Sequence, residues 1–263
     1  MSIDLFNLSN RAAFISGAAG HLGSAMARAL GQAGAHLILN GRDEDKLNIF
    51  AAKLANEDIS AEIACFDIMD HDAVAALFGK MDADGKPLHI LINNAYTGRA
   101  TPWTEATPED FEIAFRSGVT AAFDITKAAH PCLARANSKA SVINIASMYG
   151  HLAPDPDIYG DTGLNSPPHY NAAKGGLIQL TRHLATHLAS DGIRVNAISP
   201  GPFPTDGIQS KEPEFMARLA GKTALGRIGA PDELGGPALF LASDASSYVT
   251  GINLPVDAGW STY

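Results

Sequence analysis

Tyr170 and Lys174 lie four positions apart in the pentapeptide Tyr170-Asn171-Ala172-Ala173-Lys174, and together they could carry out acid–base chemistry. On a helix this spacing places both side chains on one face. A phenol with an ordinary pKa of about 10 transfers protons poorly at neutral pH unless a neighbouring ammonium stabilises the phenolate. Ser147, just after a predicted strand, could complete the site by hydrogen-bonding a substrate oxygen. The sequence therefore predicts a Ser–Tyr–Lys site.

A glycine-rich turn follows the first predicted strand and opens a helix, which is the context that dinucleotide binding requires. Glycines let the backbone approach a pyrophosphate, and the helix N-terminus offers free N–H groups and a favourable dipole. The alternative is an ordinary glycine-rich turn without a ligand. The turn residues that we predict to contact a dinucleotide are Ser16, Gly17, Gly20, His21, Leu22 and Gly23.

The end of the second predicted strand, Leu39-Asn40-Gly41-Arg42, bears on the choice of cofactor. An NAD-selective site needs a carboxylate here to hold the adenosine ribose, and such a carboxylate would repel a 2′-phosphate. Gly41 leaves that place empty, and Arg42 could pair with the phosphate through its planar donors. We therefore predict NADP, with NAD as the alternative because Asp43 is close and surface arginines often have no ligand.

Short apolar runs alternate with Ala-rich stretches of helical spacing, which predicts a parallel sheet covered by helices on both faces, a doubly wound α/β fold. The predicted strands are Ala12–Ile15, His36–Leu39, Ala61–Phe66, Leu88–Ile92, Ser141–Ile145, Arg194–Ile198 and Ile252–Val256. Predicted helices include Leu22–Ala33, Phe111–Ala136 and Ala172–Ala189. No linker or repeat divides the chain, so we expect a single domain over residues 1–263. The Pro-rich segment over His151–Pro168 is predicted to be a long ordered loop.

Composition narrows the functional classes. The 263 residues carry a formal net charge of −9 with dispersed basic residues, which argues against nucleic-acid binding. The apolar runs are strand-sized, so no membrane span is expected. Cys65 and Cys132 support no disulfide framework and fit a reducing cytoplasm; we expect both to be buried. No metal site is predicted.

The whole chain resembles the short-chain dehydrogenase/reductase family. The resemblance runs from the turn at Gly17 to Val249-Thr250-Gly251. It also includes Asn93-Asn94-Ala95, Asn144-Ile145-Ala146-Ser147, Tyr170-x-x-x-Lys174 and Asn196-Ala197-Ile198-Ser199-Pro200-Gly201. The family implies a dinucleotide-binding oxidoreductase in which the cofactor carries the hydride.

Carried over to this chain, the resemblance implies that Tyr170 moves the hydroxyl proton and that Ser147 positions the carbonyl. Lys174 would bind the nicotinamide ribose and lower the pKa of Tyr170. Asp67 would contact adenine, and Asn94 would lie against the adenosine ribose. The remaining cofactor contacts implied are Ala95, Pro200, Gly201, Phe203 and Thr205, the last on the nicotinamide side.

Four departures from the family pattern stand out. His21 takes a place where glycine is usual, and Tyr96 follows Asn-Asn-Ala in place of glycine, with either a packing role or a place in the substrate pocket. Gly118 stands where many members have a catalytic asparagine. We hypothesise that it opens space for a relay water or a bulky substrate group, unless the enzyme does without the relay. The fourth departure is the extended segment before Tyr170.

That extended segment contains hydrogen-bonding groups suited to a polyhydroxylated substrate, although it could equally be a solvated loop or an interface element. They are Asp155, Asp157, Tyr159 and Asp161. Arg99 could meet a substrate carboxylate, or be exposed without a ligand. The predicted substrate contacts are Tyr96, Arg99, Ser147, His151 and Tyr170.

The favoured function is NADP-dependent oxidation or reduction of a secondary alcohol or ketone of a sugar, polyol or sugar acid, since the strand end at Asn40-Gly41-Arg42 resembles gluconate 5-dehydrogenases in the family. One alternative is reduction of a 3-oxoacyl carrier protein, which the acidic segment disfavours. The other is a non-catalytic, dinucleotide-binding regulator. The resemblance also implies a homotetramer or homodimer, with the fourth and fifth helices and the tail Gly251–Trp260 as plausible interfaces.

Overall fold

Seven parallel strands form one sheet in the computed structural model of the chain, which describes residues 3–137 and 139–262. The strands are β1 (Ala12–Ile15), β2 (His36–Gly41), β3 (Ala61–Cys65), β4 (Ile90–Asn93), β5 (Ala140–Ile145), β6 (Ile193–Pro200) and β7 (Asn253–Val256). Their order across the sheet is β3-β2-β1-β4-β5-β6-β7, and all neighbours pair in parallel. All seven predicted strands are confirmed, with ends that shift by at most two residues.

Helices connect the strands and cover both faces of the sheet. They are α1 (Gly23–Gln32), α2 (Glu44–Ala55), α3 (His71–Ala83), α4 (Pro108–Phe115), α5 (Ala121–Ala134), α6 (Pro156–Tyr159), α7 (Pro168–Leu188), α8 (Asp206–Lys211), α9 (Pro213–Lys222) and α10 (Gly235–Ala242). The predicted doubly wound fold is confirmed. Helix α7 begins four residues before the predicted start because Pro168 serves as its first residue, where a missing N–H costs nothing.

Alternate residues of the central strands enter two cores on opposite faces of the sheet. In β1, Ile15 belongs to the core that includes Met26 of α1. Phe14 belongs to the other core, where its ring meets Phe78 of α3 at a centroid distance of 5.3 Å. Burial on both faces explains why these strands are continuously apolar in sequence.

The helix predicted over Phe111–Ala136 is interrupted. It starts earlier, at α4, because Thr107 and Asp110 form a capping box in which each side chain accepts the other's backbone N–H. A π-helical turn at Arg116–Thr120 then joins α4 to α5. Gly118 lies inside this turn, and π turns of this kind are frequent at functional sites.

The segment 151–168 is not a loop throughout, as the sequence suggested, because α6 lies within it. Its backbone is fastened to α9, where Arg218 Nε donates to the Ile158 carbonyl at 2.7 Å. A third, smaller core lies beneath these contacts and contains Met148, Ile158, Phe215, Leu219 and Trp260. Segment 151–168 is therefore packed against α9.

The two cysteines differ in environment. Cys132 is buried as expected, but Cys65 is exposed at the end of the outermost strand β3, so that prediction is wrong for Cys65. None of the described helices is long and apolar enough to cross a membrane. Within residues 3–137 and 139–262, no group of three or more His, Cys, Asp or Glu side chains is arranged to hold a metal ion.

Candidate active site

A groove with a volume of about 320 Å³ opens at the carboxyl ends of β1 and β4, where the strand order reverses direction. Crevices at such switch points are the usual ligand sites of open α/β sheets. Eight residues predicted to contact a dinucleotide line it: Gly17, Gly20, His21, Leu22, Arg42, Asp67, Asn94 and Ala95. The glycine turn, the end of β2 and the Asn-Asn-Ala motif are thus brought together.

The glycine turn is held from below by Asn94, whose Nδ2 donates to the carbonyls of Ser16 and Gly17 at 2.9 and 3.2 Å. Gly17 has a φ of +64°, and a Cβ there would lie 3.0 Å from this Nδ2. The Ser16 hydroxyl accepts the backbone N–H groups of Asn94 and Ala95. Ser16 and Gly23, predicted as cofactor contacts, do not line the groove and instead support the turn.

His21, the unusual residue of the turn, reaches the loop after β6. Its Nε2 lies 3.2 Å from the Phe203 carbonyl oxygen. Phe203 and Gly201 line the neighbouring cavity described below, whereas Pro200 and the exposed Thr205 line neither cavity. The imidazole therefore connects the two halves of the site, a contact that the sequence did not reveal.

The end of β2 offers a cation to the groove. Arg42 is 61% exposed at its side chain and lies 3.6 Å from Asp67. Asp43 is turned away, since its carboxylate caps α2 by accepting the Lys46 N–H. Asn40 Nδ2 donates to two carbonyls of the β3 end, and its buried Oδ1 has no partner among the described residues.

A second cavity of about 420 Å³ adjoins this groove. Four of the five residues predicted to contact substrate line it: Ser147, Tyr170, Tyr96 and Arg99; Tyr96 lines both cavities. His151, the fifth, is not among the lining residues, and its Nδ1 lies 3.4 Å from Asn253 Nδ2.

Much of the wall of the second cavity is apolar or aromatic, from residues that the sequence reasoning missed: Met148, Tyr149, Ile208, Phe215 and Leu219. Three of them come from α8 and α9, which fold over the cavity through tertiary packing. No local motif signals that approach.

The acidic residues of segment 151–168 do not line the cavity, contrary to expectation. Asp155 caps α6 and pairs with Lys222 at 3.2 Å, and neither Asp157 nor Asp161 is among the lining residues. Tyr159 does line it, and its hydroxyl donates to that of Tyr149 at 2.9 Å. The segment thus contributes an aromatic wall to the cavity.

A hydrogen-bonding contribution from the Ser147 hydroxyl acts to lower the pKa of Tyr170. Burial acts more strongly in the opposite direction, so the net pKa of Tyr170 is raised. The lowering expected from Lys174 does not prevail here, where its Nζ lies 5.7 Å from the centre of the Tyr170 ring. The Tyr170 phenol is therefore protonated at neutral pH.

Lys174 is buried, and its Nζ donates to the Ile145 carbonyl at 2.6 Å. Burial lowers the pKa of Lys174 to about 8. The turn after Ser147 rests directly on this part of α7, because a Cβ at Gly150 would lie 2.8 Å from the Lys174 carbonyl carbon. The close approach fixes Ser147 relative to Tyr170 and Lys174.

The space beside Gly118 is small. A cavity of about 10 Å³ lies among Gly118, Asn93 and Lys174, enough for one water and too little for a substrate group. The buried Oδ1 of Asn93 has no partner within the described residues. Of the two roles hypothesised for Gly118, this geometry is compatible with the water alone.

Comparison with known proteins places the chain among dehydrogenases. Residues 17–261 match the family model described as enoyl-(acyl carrier protein) reductase. The chain is 36% identical to a 2-dehydro-3-deoxy-D-gluconate 5-dehydrogenase of Formosa agariphila, over 98% of this chain and 96% of that protein. It is 35% identical to a gluconate 5-dehydrogenase of Gluconobacter oxydans, over 97% and 96% of the two chains.

Solved structures agree with these matches. A gluconate 5-dehydrogenase from Burkholderia cenocepacia, in complex with NADP and tartrate, superposes with a TM-score of 0.87 at 32% identity. The superposition covers 99% of this chain and 98% of the other.

The buried cation of Lys174 has a consequence for stability that can be measured. The unfolded chain keeps this proton up to a pH of about 10.4, whereas the folded chain releases it near 8. The folded state therefore bears the full cost of the cation below pH 8, and stability recovers as pH rises from there. Lys174→Met should raise the free energy of unfolding at pH 7 by about 1–3 kcal/mol.

Urea denaturation of Lys174→Met and the parent protein at pH 7 and pH 9.5 checks this, with the stability gap expected to narrow at the higher pH. The matched control is Lys53→Met at an exposed site of α2, which should change stability by less than about 0.5 kcal/mol. A Lys174→Met protein that is less stable than the parent, by the same amount at both pH values, would contradict the prediction.

Proposed function

Because the chain belongs to the short-chain dehydrogenase/reductase family, we propose that it transfers hydride between NADP(H) and a secondary alcohol or ketone of a sugar acid. The observation that carries this proposal is a cavity that adjoins the dinucleotide groove and is lined by Ser147 and Tyr170, with the buried Lys174 ammonium 5.7 Å from the centre of the Tyr170 ring. A regulator that only bound the dinucleotide would not need a buried ammonium beside a phenol, and that cation destabilises the fold.

In the direction of reduction, the Ser147 hydroxyl donates a hydrogen bond to the substrate carbonyl oxygen. Tyr170 then gives its phenolic proton to that oxygen. A nicotinamide cofactor held in the groove would supply the hydride. Lys174, held by the Ile145 carbonyl, stabilises the phenolate that remains. Oxidation of the alcohol runs the same proton transfers in reverse.

The residues of the groove fit a phosphorylated dinucleotide. The glycines of the turn at Gly17 let the backbone approach a pyrophosphate, and the unpartnered Asn40 Oδ1 can accept a hydrogen bond from a bound ligand. Asp43 is engaged as a helix cap, so no carboxylate occupies the ribose position after β2. Arg42 is exposed there and suits a 2′-phosphate, which favours NADP over NAD.

Arg99 supports an anionic substrate. It lines the second cavity with Ser147 and Tyr170. Its charge also acts on the Asp110 carboxyl, whose pKa is lowered by the hydrogen bond from the Thr107 N–H and, more weakly, by Arg99. Its backbone is anchored, since the Arg99 carbonyl accepts from His169 Nε2 at 2.9 Å. The relatives named for gluconate oxidation or reduction act on carboxylates, and Arg99 provides the planar donor pair that such a group prefers.

A second candidate is reduction of a 3-oxoacyl chain, which the apolar cavity wall favours. The description of the matching family model shares with it only the acyl-carrier substrate, since that model names an enoyl reductase. An acidic carrier protein would have to dock near Asp155, Asp157 and Asp161, three carboxylates on the segment beside the cavity. Their charge disfavours that docking, so the sugar acid is the stronger proposal.

For assembly we propose a homo-oligomer, either a tetramer or a dimer. Large apolar side chains of the α4–α5 region face solvent in the single chain, among them Phe111, Ile113, Phe115 and Phe123. Association through this region would bury them.

The central test is turnover. With NADPH, the protein should reduce 5-keto-D-gluconate, and Tyr170→Phe should lower kcat by about 10²- to 10⁴-fold because the proton donor is lost. Absorbance of the reduced cofactor follows the reaction, and Tyr248→Phe, at a fully exposed site, is the control. Cofactor binding without turnover of any keto-sugar acid would instead point to the regulator, and an unaffected Tyr170→Phe would mean that Tyr170 is not the proton donor.

Cofactor choice depends on Arg42. Arg42→Leu should raise the Kd for NADPH by about 10- to 100-fold, the equivalent of a lost charged hydrogen bond, and leave that for NADH nearly unchanged. Fluorescence titration measures both constants. Arg28→Leu removes an arginine that pairs with Glu57 and should alter neither constant. Equal weakening of NADPH and NADH by Arg42→Leu would argue against a phosphate contact.

Arg99→Leu should raise KM for an anionic keto-sugar by about 10- to 100-fold. Turnover of a neutral ketose should change little, because no carboxylate loses its partner. Steady-state kinetics on both substrates measures the difference, with the exposed Arg116→Leu as control. A loss that is equal for the neutral and the anionic substrate would mean that Arg99 shapes the cavity without reading charge.

A further inference from the structure

The Tyr96 ring lies in the space that a side chain at position 118 would need. A Cβ at Gly118 would lie 3.2 Å from Cδ2 and 3.4 Å from Cε2 of the Tyr96 ring, and 3.6 Å from the Ala173 Cβ. A side chain longer than that of alanine therefore cannot extend from position 118 while the ring stays in place. The ring fills the site that a side chain on the π turn would otherwise take.

The same ring contacts both members of the proposed acid–base pair. Its centroid lies 5.2 Å from that of Tyr170, with the planes at 78°. Lys174 Nζ lies 5.2 Å from the Tyr96 centroid and 5.7 Å from that of Tyr170, so the ammonium is within cation–π range of both rings. Among described residues its one hydrogen bond runs to the Ile145 carbonyl. Two of its three protons therefore have no other protein acceptor than these π faces.

We propose that Tyr96 is a positioning residue for Lys174 and Tyr170, matched to Gly118, and that its aromatic face supplies electrostatic support for the ammonium. This inference rests on the proposed acid–base role of Tyr170 and Lys174. The ring, not the hydroxyl, provides the support, because the buried Tyr96 hydroxyl has no hydrogen-bond partner in the described part of the chain. Burial also raises the pKa of Tyr96 to about 12, which keeps the phenol neutral.

Few other ionisable groups face this cluster. Tyr159 and Tyr149 lie on the side of Tyr170 and Asp110 on the side of Tyr96. Without the Tyr96 ring, the ammonium loses support and stabilises the Tyr170 phenolate less well. The pKa of Tyr170 should then rise, and alcohol oxidation, which needs the phenolate, should require a higher pH.

The test compares Tyr96→Phe, which keeps the ring, with Tyr96→Leu, which keeps the site apolar without a π face. Tyr96→Phe should retain kcat within about twofold, whereas Tyr96→Leu should lose about tenfold and shift the pH midpoint of kcat for oxidation upward by about one unit. The readouts are kcat against pH and Tm. An unshifted profile in a folded Tyr96→Leu protein, or equal damage by Phe and Leu, would overturn the inference.

A second pair of variants keeps the test decisive if Tyr96→Leu does not fold. Gly118→Asn should displace the ring and shift the pH midpoint upward as well, whereas Gly118→Ala, whose Cβ would lie 3.2 Å from the ring, should shift it less because the ring needs to move only slightly. A Gly118→Asn protein with the parental pH profile, or a Gly118→Ala protein with an equal shift, would also overturn it. Failure of the proposed function looks different, since the parent protein would then turn over no keto-sugar acid, or Tyr170→Phe would keep the parental activity.

Discussion

The burial of the Lys174 ammonium against the Ile145 carbonyl is the constraint around which the site is built. Placing a cation at the end of a central strand is unfavourable, and the lowered pKa of Lys174 records that cost. The surrounding structure holds the cation in place: α7 brings it in, the turn at Gly150 rests on the lysine backbone, and two aromatic rings lie against its charge. The same contacts position Ser147, Tyr170 and Tyr96, which line the second cavity.

Burial of the strands explains why the sheet could be predicted from sequence, whereas the cavity wall depends on packing between distant segments and could not be predicted. Strands such as β1 are apolar at every position because both faces are buried, and that signal is local. Motif residues at strand ends, such as Asn94, meet at one edge because parallel strands all end there. Phe215 and Leu219 reach the cavity only through the packing of α9 on segment 151–168, which no local pattern encodes.

Polar residues were the least predictable, because a side chain with several possible partners is assigned by tertiary structure. Asp155 and Asp43 seemed from sequence to be free to meet a substrate or a ribose, yet both serve as helix caps. An N-cap needs the same short carboxylate that a binding site would use. His151 is likewise placed by tertiary structure, because its ring lies against Asn253 and does not line the cavity. Cys65 failed as a core prediction because β3 is an outer strand.

Tyr96 and Gly118 show how two departures from a family pattern can be one structural change. Taken separately, the tyrosine suggested a pocket wall and the glycine suggested a missing relay group. In the folded chain the ring of the first occupies the space that the second leaves, directly against Lys174 and Tyr170. What remains beside Gly118 is a water-sized cavity next to the unpartnered Asn93 Oδ1. Support for the ammonium thus comes from an aromatic face, and the residue that provides it also lines both cavities.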